Sequence, residues 1–322
     1  MLEVCNLSLS VPINGEFAQA VHAVSFRLEP GKVFALVGES GCGKSLTAQA
    51  LLRLGEHQGV RRDSGDILLN GDSIFSFGNN DLRAMRGGRV AMVFQEPMTA
   101  LNPVFTIGSQ LIDVIRTHLP LNKRQARERA IGLLADVELE APAQLLNQYP
   151  GELSGGMRQR VLIAMALSAN ADYLIADEPT TALDVSVQKN ILALLRRLQH
   201  QRNLALLLVT HNFGVVAEMA DSVAVMYAGE IVEQSDVHTL FDHAAHPYTR
   251  ALMACRPELT EKKGRLPMIE GQVPAPGAWP QGCHFADRCR HVAADCRAAP
   301  LSLSTDHHAV RCLHPHLPKS PT

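Results

Sequence analysis

The sequence lacks the segments that would place this chain in or across a membrane. No stretch reaches ~18 consecutive apolar residues, the length that a bilayer-spanning helix needs. Residues 1–10 also lack the basic start and the apolar run of a secretory signal. We therefore expect a cytosolic protein whose association with a membrane is made through partner chains.

An excess of charge of either sign is absent too. The formal net charge is −2 over 322 residues, whereas proteins built mainly to bind nucleic-acid backbones are normally basic. The sequence has no internal repeat and no long heptad run. Hydrophobic residues make up 46% of the chain, enough for an ordinary globular core. The length suits one large domain with an appendage, or two modest domains.

The seven cysteines include no C-x₂-C pair of the kind usual in zinc ribbons. Four of them nevertheless cluster near the C-terminus: Cys283, Cys289, Cys296 and Cys312. Disulfides are disfavoured in a cytosolic protein. An iron–sulfur cluster, a tetrahedral zinc ion and free buried thiols remain as alternatives. The composition shifts to Pro, Gly, His and Cys near Pro257, which predicts domains at 1–256 and 257–322.

Hydrophobic patterning predicts an α/β fold. The predicted strands are 2–4, 23–28, 32–37, 173–177 and 204–209, with a hairpin over 223–233; the predicted helices are 44–52 and 187–201. Asn14-Gly15 indicates a turn. Residues 108–148 have helical spacing and resemble an inserted helical subdomain. A strand, a glycine-rich loop and a helix in succession begin many wound nucleotide-binding sheets.

Residues 38–45 fit the phosphate-loop pattern G-x-x-x-x-G-K-[ST] in full. The segment is Gly38, Glu39, Ser40, Gly41, Cys42, Gly43, Lys44 and Ser45, and Leu46 continues into the helix. Glycines let backbone N–H groups approach phosphate oxygens closely. Lys44 is predicted to reach the β- and γ-phosphates of ATP, and the Ser45 hydroxyl to ligate Mg²⁺. Cys42 is either a small residue tolerated in the loop or a thiol of lowered pKa that ATP would protect from alkylation.

Two adjacent carboxylates follow the predicted strand 173–177. At such a strand end Asp177 is expected to hold Mg²⁺ and Glu178 to polarise the attacking water. Gln95 follows the apolar run 90–94 and is a candidate contact to Mg²⁺ and water. His211 follows the strand 204–209 and is a candidate contact to the γ-phosphate.

Together these residues resemble the ABC ATPases. The segment Leu153-Ser154-Gly155-Gly156-Met157-Arg158-Gln159-Arg160 is similar to the signature sequence of that family, and Ala182-Leu183-Asp184 to its D-loop. Gln95 corresponds to the Q-loop and His211 to the switch histidine. The resemblance spans about residues 1–255. It implies a P-loop ABC ATPase cassette with a RecA-like wound α/β sheet, an antiparallel β subdomain and a helical subdomain at about 96–160, followed by a small cysteine-rich C-terminal extension.

The same resemblance implies how two cassettes work together. Ser154, Gly155 and Gly156 cap the γ-phosphate of ATP bound to the opposite cassette, so that a dimer sandwiches two ATP molecules. The helical subdomain contacts the permease, and Gln95 links it to the nucleotide. Three departures from the family pattern stand out. Met157 replaces a common Gln, Asn212 replaces a common Asp, and Phe17 is the best local candidate for the adenine-stacking aromatic, with Val11 as an apolar alternative.

A narrower resemblance is to the dipeptide, oligopeptide and nickel branch of ABC ATPases. It rests on the segments 96–103 (EPMTALNP), 246–249 (HPYT) and the Cys283-x₅-Cys289 spacing. It implies a [4Fe–4S] cluster on the four C-terminal cysteines, with Zn²⁺ or no metal as alternatives. It also implies a peptide importer at the cytoplasmic face of a bacterial inner membrane. The expected partners are a second related cassette in a heterodimer, two permease subunits and an extracytoplasmic solute-binding protein, with no nucleic acid.

Other functions fit the sequence less well. Within the same branch, the cargo could be a nickel chelate or another small solute. A soluble ABC ATPase acting on DNA or ribosomes usually carries two cassettes or a coiled-coil insertion, and this chain has neither. A sensor module would make the four cysteines the function and ATP incidental. A simple P-loop kinase leaves the Ser154-Gly155-Gly156 segment without a role.

Overall fold

The protein is described by a computed structural model that covers residues 1–95, 100–181, 183–255, 268–304 and 306–316. Three features of the sequence lie outside these residues: Glu96–Thr99 of the branch motif, Ala182 of the D-loop, and the predicted domain boundary between residues 256 and 257. Among the helices described, none combines the length and the apolar character that crossing a membrane requires.

Strands and helices alternate through most of the described chain. The strands are β1 Leu2–Ile13, β2 Glu16–Leu28, β3 Val33–Val37, β4 Arg61–Leu69, β5 Asp72–Ser73, β6 Val90–Val93, β7 Tyr173–Asp177, β8 Ala205–Thr210, β9 Ser222–Tyr227, β10 Glu230–Asp236 and β11 Ala309–Val310. The helices are α1 Lys44–Ala50, α2 Asn79–Met85, α3 Ile107–His118, α4 Lys123–Asp136, α5 Pro142–Leu145, α6 Gly155–Ala166, α7 Val185–Arg202, α8 Phe213–Met219, α9 Val237–His243 and α10 Pro247–Ala254.

The chain divides into two compact units. Unit 1 consists of Met1–Arg27, Val33–Phe75 and Val209–Thr322. Unit 2 consists of Leu28–Lys32 and Ser76–Leu208. The phosphate-loop segment, His211 and the four C-terminal cysteines therefore belong to unit 1. Gln95, the Ser154-Gly155-Gly156 segment and the Asp177-Glu178 pair belong to unit 2.

The N-terminal strands of unit 1 form a four-stranded sheet in the order β2-β1-β4-β5. β1 pairs antiparallel with β4, and β4 pairs antiparallel with β5. The predicted turn at Asn14-Gly15 joins β1 to β2 with φ of 51° and 88°, values that Asn and Gly adopt readily. The predicted strands 2–4 and 23–28 are parts of the longer strands β1 and β2, which have 12 and 13 residues. The strands are longer than predicted because an antiparallel strand includes polar residues that alternate with the apolar ones.

Unit 1 also contains four strands of a second sheet. They are hydrogen-bonded neighbours in the order β11-β10-β9-β3. β3 runs parallel to β9, whereas β9 with β10 and β10 with β11 are antiparallel. The hairpin predicted over 223–233 is confirmed, and its turn lies at Ala228-Gly229 with φ of 43° and 83°. Every residue of β3 is buried, as predicted for a strand that leads into a glycine loop.

Unit 2 holds β6, β7 and the first four residues of β8. These strands are neighbours in the order β8-β7-β6. β6 and β7 run parallel. The residues of β7 and of β8 are all buried, as their uninterrupted apolar sequences predict. The predicted helical stretch 108–148 is confirmed as α3, α4 and α5. Side-chain caps begin α3 at Thr106 and α4 at Asn122, which satisfy backbone N–H groups that helix geometry leaves without partners.

Candidate functional site

The phosphate-loop segment connects β3 to α1 in unit 1. Gly38, Gly41 and Gly43 have positive φ of 157°, 82° and 104°, which residues with a Cβ rarely adopt. A Cβ at Gly38 would overlap the backbone oxygen of Met226, and one at Gly43 would lie 2.7 Å from the Met226 side chain. The backbone contact with β9 therefore requires glycine at position 38, and the positive φ favours glycine at position 43.

Lys44 is the cationic centre of this loop. It is only 5% exposed. Its Nζ donates to the backbone oxygens of Gly38 at 2.8 Å and of Glu39 at 2.9 Å. The lysine thus bridges the start and the end of the loop. Around it, Ser40 and Gly41 are exposed, and Gly43, Ser45 and Leu46 are partly buried.

Cys42 is fully buried beneath the loop. Burial raises the pKa of its thiol, and the nearby Lys44 ammonium, 3.7 Å from Sγ, offsets this only in part. Because a buried thiol is neither a thiolate nor accessible, the alternative of a reactive Cys42 with a lowered pKa is wrong. Its backbone oxygen accepts a hydrogen bond from Gly229 N at 2.9 Å, which fastens the loop to the β9–β10 turn.

In unit 2 the predicted metal and water ligands meet at the end of β7. Asp177 is 3% exposed and closes the strand. Glu178 follows it with a left-handed φ of 46°. The Glu178 carboxylate accepts hydrogen bonds from Gln95 Nε2 at 3.1 Å and from Thr181 Oγ1 at 2.8 Å. The structure therefore brings Gln95 and Glu178 together, as expected, and adds Thr181, which no motif had singled out.

The segment that resembles the family signature begins helix α6. Ser154 is the N-cap, and its Oγ accepts from Met157 N at 3.3 Å. Ser154 and Gly155 are exposed. Gly156 faces α7, where a Cβ would lie 2.8 Å from the Val187 side chain. Gly156 therefore lets α6 approach α7, while Ser154 and Gly155 leave the helix start open to solvent.

His211 follows β8 and is exposed. The next residue, Asn212, caps α8, since its Oδ1 accepts from Gly214 N at 2.8 Å and from Val215 N at 3.4 Å. An aspartate could make the same two bonds, so the departure at this position preserves the local structure.

Phe17, the candidate for adenine stacking, lies in β2 with half of its surface exposed. The guanidinium of Arg61 sits over its ring at 4.2 Å from the centroid. Cation–π pairing of this kind explains how an aromatic ring is held at the surface. Val11 is partly buried in β1. Sequence patterns gave no sign of Arg61.

The four C-terminal cysteines line one small cavity, together with Phe285 and the buried His246. Cys283 N donates to Cys296 O at 2.8 Å. All four are free thiols. Burial raises the pKa of Cys283 to about 11, and the neighbouring thiols act in the same direction. The grouping that the spacing suggested is therefore present in space.

Asp295 and His314 place two further side chains of a metal-ligating type close to Cys296. The ligand atoms of Asp295, Cys296 and His314 lie within 4.8 Å of one another. His314 Nε2 is 2.9 Å from the Asp295 carboxylate. Both residues were missed in the sequence because neither belongs to a recognisable spacing.

The fold and these sites define a class of protein. Residues 21–181 match the family described as ABC transporter, and residues 232–296 match the family described as oligopeptide/dipeptide transporter, C-terminal region. The chain belongs to the ABC transporter family. It is a transport ATPase of that family with the ATP-binding cassette fold.

Particular relatives cover nearly the whole chain. It is 45% identical over 314 residues to the oligopeptide transport ATP-binding protein AppD of Bacillus subtilis (strain 168), across 97% of this chain and 96% of that protein. It is 42% identical over 314 residues to the dipeptide transport ATP-binding protein DppD of the same strain, across 97% and 94%. Among solved structures, the post-hydrolysis dimer of the ATP-binding cassette MJ0796 bound to ADP and Pi superposes with a TM-score of 0.63, at 26% identity over 74% of this chain and 99% of that one.

Proposed function

We propose that this chain hydrolyses ATP to energise the import of di- and oligopeptides. One observation carries the proposal. A complete phosphate loop with a buried lysine occurs in the same chain as a C-terminal region that matches the oligopeptide/dipeptide transporter family. The names of the relatives AppD and DppD support the same cargo class.

The nucleotide is held by the residues of the phosphate loop. Backbone N–H groups of Gly38, Ser40, Gly41, Cys42, Gly43 and Leu46 surround the phosphates, and Lys44 contacts the β- and γ-phosphates. Phe17 stacks on the adenine ring. The exposure of Ser40 and Gly41 leaves the loop accessible to a ligand.

Mg²⁺ is held by Ser45, Asp177 and Gln95. Hydroxyl, carboxylate and amide oxygens are the ligands that this ion prefers. Asp177 is almost completely buried at the end of β7, and its carboxylate is a ligand type that suits a divalent cation. When bound, the ion neutralises negative charge on the phosphates.

Glu178 orients the attacking water and accepts its proton, Gln95 positions the Glu178 carboxylate, and His211 contacts the γ-phosphate. Ser154, Gly155 and Gly156 complete the site of a second cassette. The exposed N-terminus of α6 supports this role, because the first N–H groups of a helix point along its axis towards an anion.

The working assembly is a heterodimer of this chain with a related cassette, bound to two permease subunits and served by an extracytoplasmic solute-binding protein. The chain acts at the cytoplasmic face of a bacterial inner membrane. Within it, residues 1–256 form the cassette, with the helical subdomain at about 96–160, and residues 257–322 form the C-terminal extension.

A [4Fe–4S] cluster is held by Cys283, Cys289, Cys296 and Cys312. Four thiols around one cavity are a suitable donor set, and metal binding compensates the burial that raises the thiol pKa of Cys283, Cys289 and Cys312. The cluster would supply structural cross-linking of the extension.

Two experiments test these proposals. Vesicles containing the assembled transporter should accumulate a labelled dipeptide with ATP, and should fail to do so when this chain carries Lys44→Ala. ATP-driven uptake of a nickel chelate but of no peptide would refute the cargo assignment.

Anaerobically purified protein should contain about four irons and four sulfides per chain. Stoichiometric zinc, or no metal, would refute the cluster.

A further inference from the structure

An arginine of the C-terminal extension reaches into the phosphate loop. Arg288 is 5% exposed at its side chain. Its Nη1 donates to Glu39 Oε2 at 2.7 Å and its Nη2 to Glu39 Oε1 at 3.0 Å. Glu39 directly follows Gly38 in the loop, and Arg288 directly precedes Cys289. A two-pronged, partly buried ion pair therefore joins the cysteine-bearing extension to the segment that the proposed function assigns to phosphate.

Arg288 is held rigidly on its own side. Its Nε donates to Glu270 O at 2.8 Å, and its Nη2 also donates to Ile269 O at 3.2 Å. The hydroxyl of Tyr227 lies 3.5 Å from Nη1. Because the guanidinium is planar, these bonds fix the direction in which it presents its two remaining donors to Glu39.

The backbone of Glu39 is held by the same region. Glu39 N donates to the hydroxyl of Tyr248 at 3.0 Å. The ring of Tyr248 packs on Phe285, with centroids 5.2 Å apart, and Phe285 lies between Cys283 and Cys289. The segment 283–289 therefore orients Glu39 in two ways. Arg288 contacts its carboxylate directly, and Phe285 packs against the tyrosine that binds its backbone N–H.

The negative charge of Glu39 would oppose the binding of ATP if the carboxylate had no cationic partner. A carboxylate one residue from Gly38 repels an incoming polyphosphate, and repulsion at short range is strong where water is scarce. Pairing with the buried guanidinium of Arg288 neutralises the carboxylate and holds it in one position.

We propose that Arg288 is a positioning residue for ATP binding, which acts by holding and neutralising Glu39 in the phosphate loop. The C-terminal extension is then part of the nucleotide-binding apparatus and not only an appendage. The proposal rests on the proposed assignment of residues 38–45 to the phosphates.

A double-mutant cycle on the purified full-length chain tests it, with Mg·ATP affinity measured by direct titration. Arg288→Met should raise the Kd for ATP about tenfold when Glu39 is present, and by less than about twofold in a chain that also carries Glu39→Gln. A role confined to folding of the extension would give the same loss in both backgrounds and would overturn the proposal, as would an unchanged Kd. If Arg288→Met does not fold, Arg288→Gln, which removes the charge but keeps a hydrogen-bond donor, gives the same comparison.

Two control variants separate the possible failures. Arg297, in the same extension, pairs with Asp287 at the surface, so Arg297→Met should leave the Kd unchanged. Lys44→Ala tests the loop itself. If Lys44→Ala binds ATP as tightly as wild type, the proposed function of the loop fails; if Lys44→Ala loses binding while Arg288→Met does not, only the role of Arg288 fails.

Discussion

The side-chain amide of Gln95 donates a hydrogen bond to the carboxylate of Glu178 at 3.1 Å. The bond joins the residues that follow two adjacent parallel strands, β6 and β7. Thr181 donates to the same carboxylate oxygen. A carboxylate held by two neutral donors stays oriented, which suits a group that must accept a proton from water.

Replacing a phosphate-loop glycine should destabilise the fold. Gly38→Ala places a Cβ against the backbone of Met226 at a φ that alanine avoids, so we expect a loss of about 1–3 kcal/mol in the free energy of unfolding, measured by urea denaturation. Gly132→Ala is the matched control. Gly132 is exposed in α4 with open space around it, and alanine there should stabilise by about 0.5–1 kcal/mol. Equal effects of the two changes would contradict the geometry of the loop.

Lys44→Ala should weaken ATP binding on the order of 100-fold, because it removes the one ammonium that bridges the loop ends and reaches the phosphates. Titration with ATP and Mg²⁺ measures the loss. Lys189→Ala removes an exposed lysine of α7 and should leave the affinity as in wild type. Unimpaired binding by Lys44→Ala would place the nucleotide elsewhere.

Glu230 should make stability depend on pH. Burial raises its pKa to about 7, although Arg311 at 3.2 Å acts in the opposite direction. The folded chain therefore holds this proton more tightly than the unfolded chain does, and the resulting stabilisation is lost as pH rises from about 4.5 through 7. His22 and His284 also face Glu230. Burial lowers the pKa of both.

The test compares Glu230→Gln with wild type by urea denaturation at pH 5 and pH 8. The variant cannot titrate, so its stability relative to wild type should rise by about 1–3 kcal/mol between the two pH values. Glu218→Gln, at an exposed position of α8, should show no such change. A difference between Glu230→Gln and wild type that is independent of pH would contradict the raised pKa.

Much of the nucleotide site could be predicted because its residues are contiguous in sequence. The phosphate loop at 38–45 is a local pattern, and so are the carboxylates after β7. The strands β3, β7 and β8 follow from uninterrupted apolar runs, which have few alternative structures.

The contacts that join distant segments could not be predicted. Arg288 meets Glu39 across 249 residues of sequence, and the pairing depends on how the extension packs against β9. Arg61 over Phe17, and His314 beside Cys296, are likewise products of tertiary packing. The burial of Cys42 decided between two interpretations that spacing alone left open.

The role of Glu178 in hydrolysis is tested most directly by measuring ATP turnover by the assembled transporter in lipid vesicles, with Glu178→Gln in this chain. The partner cassette would carry an inactivated phosphate loop, so that turnover comes from this chain's Lys44 and Glu178. We expect the variant to keep ATP bound while hydrolysis falls by about 100-fold or more. Hydrolysis and peptide uptake at the wild-type rate would contradict it.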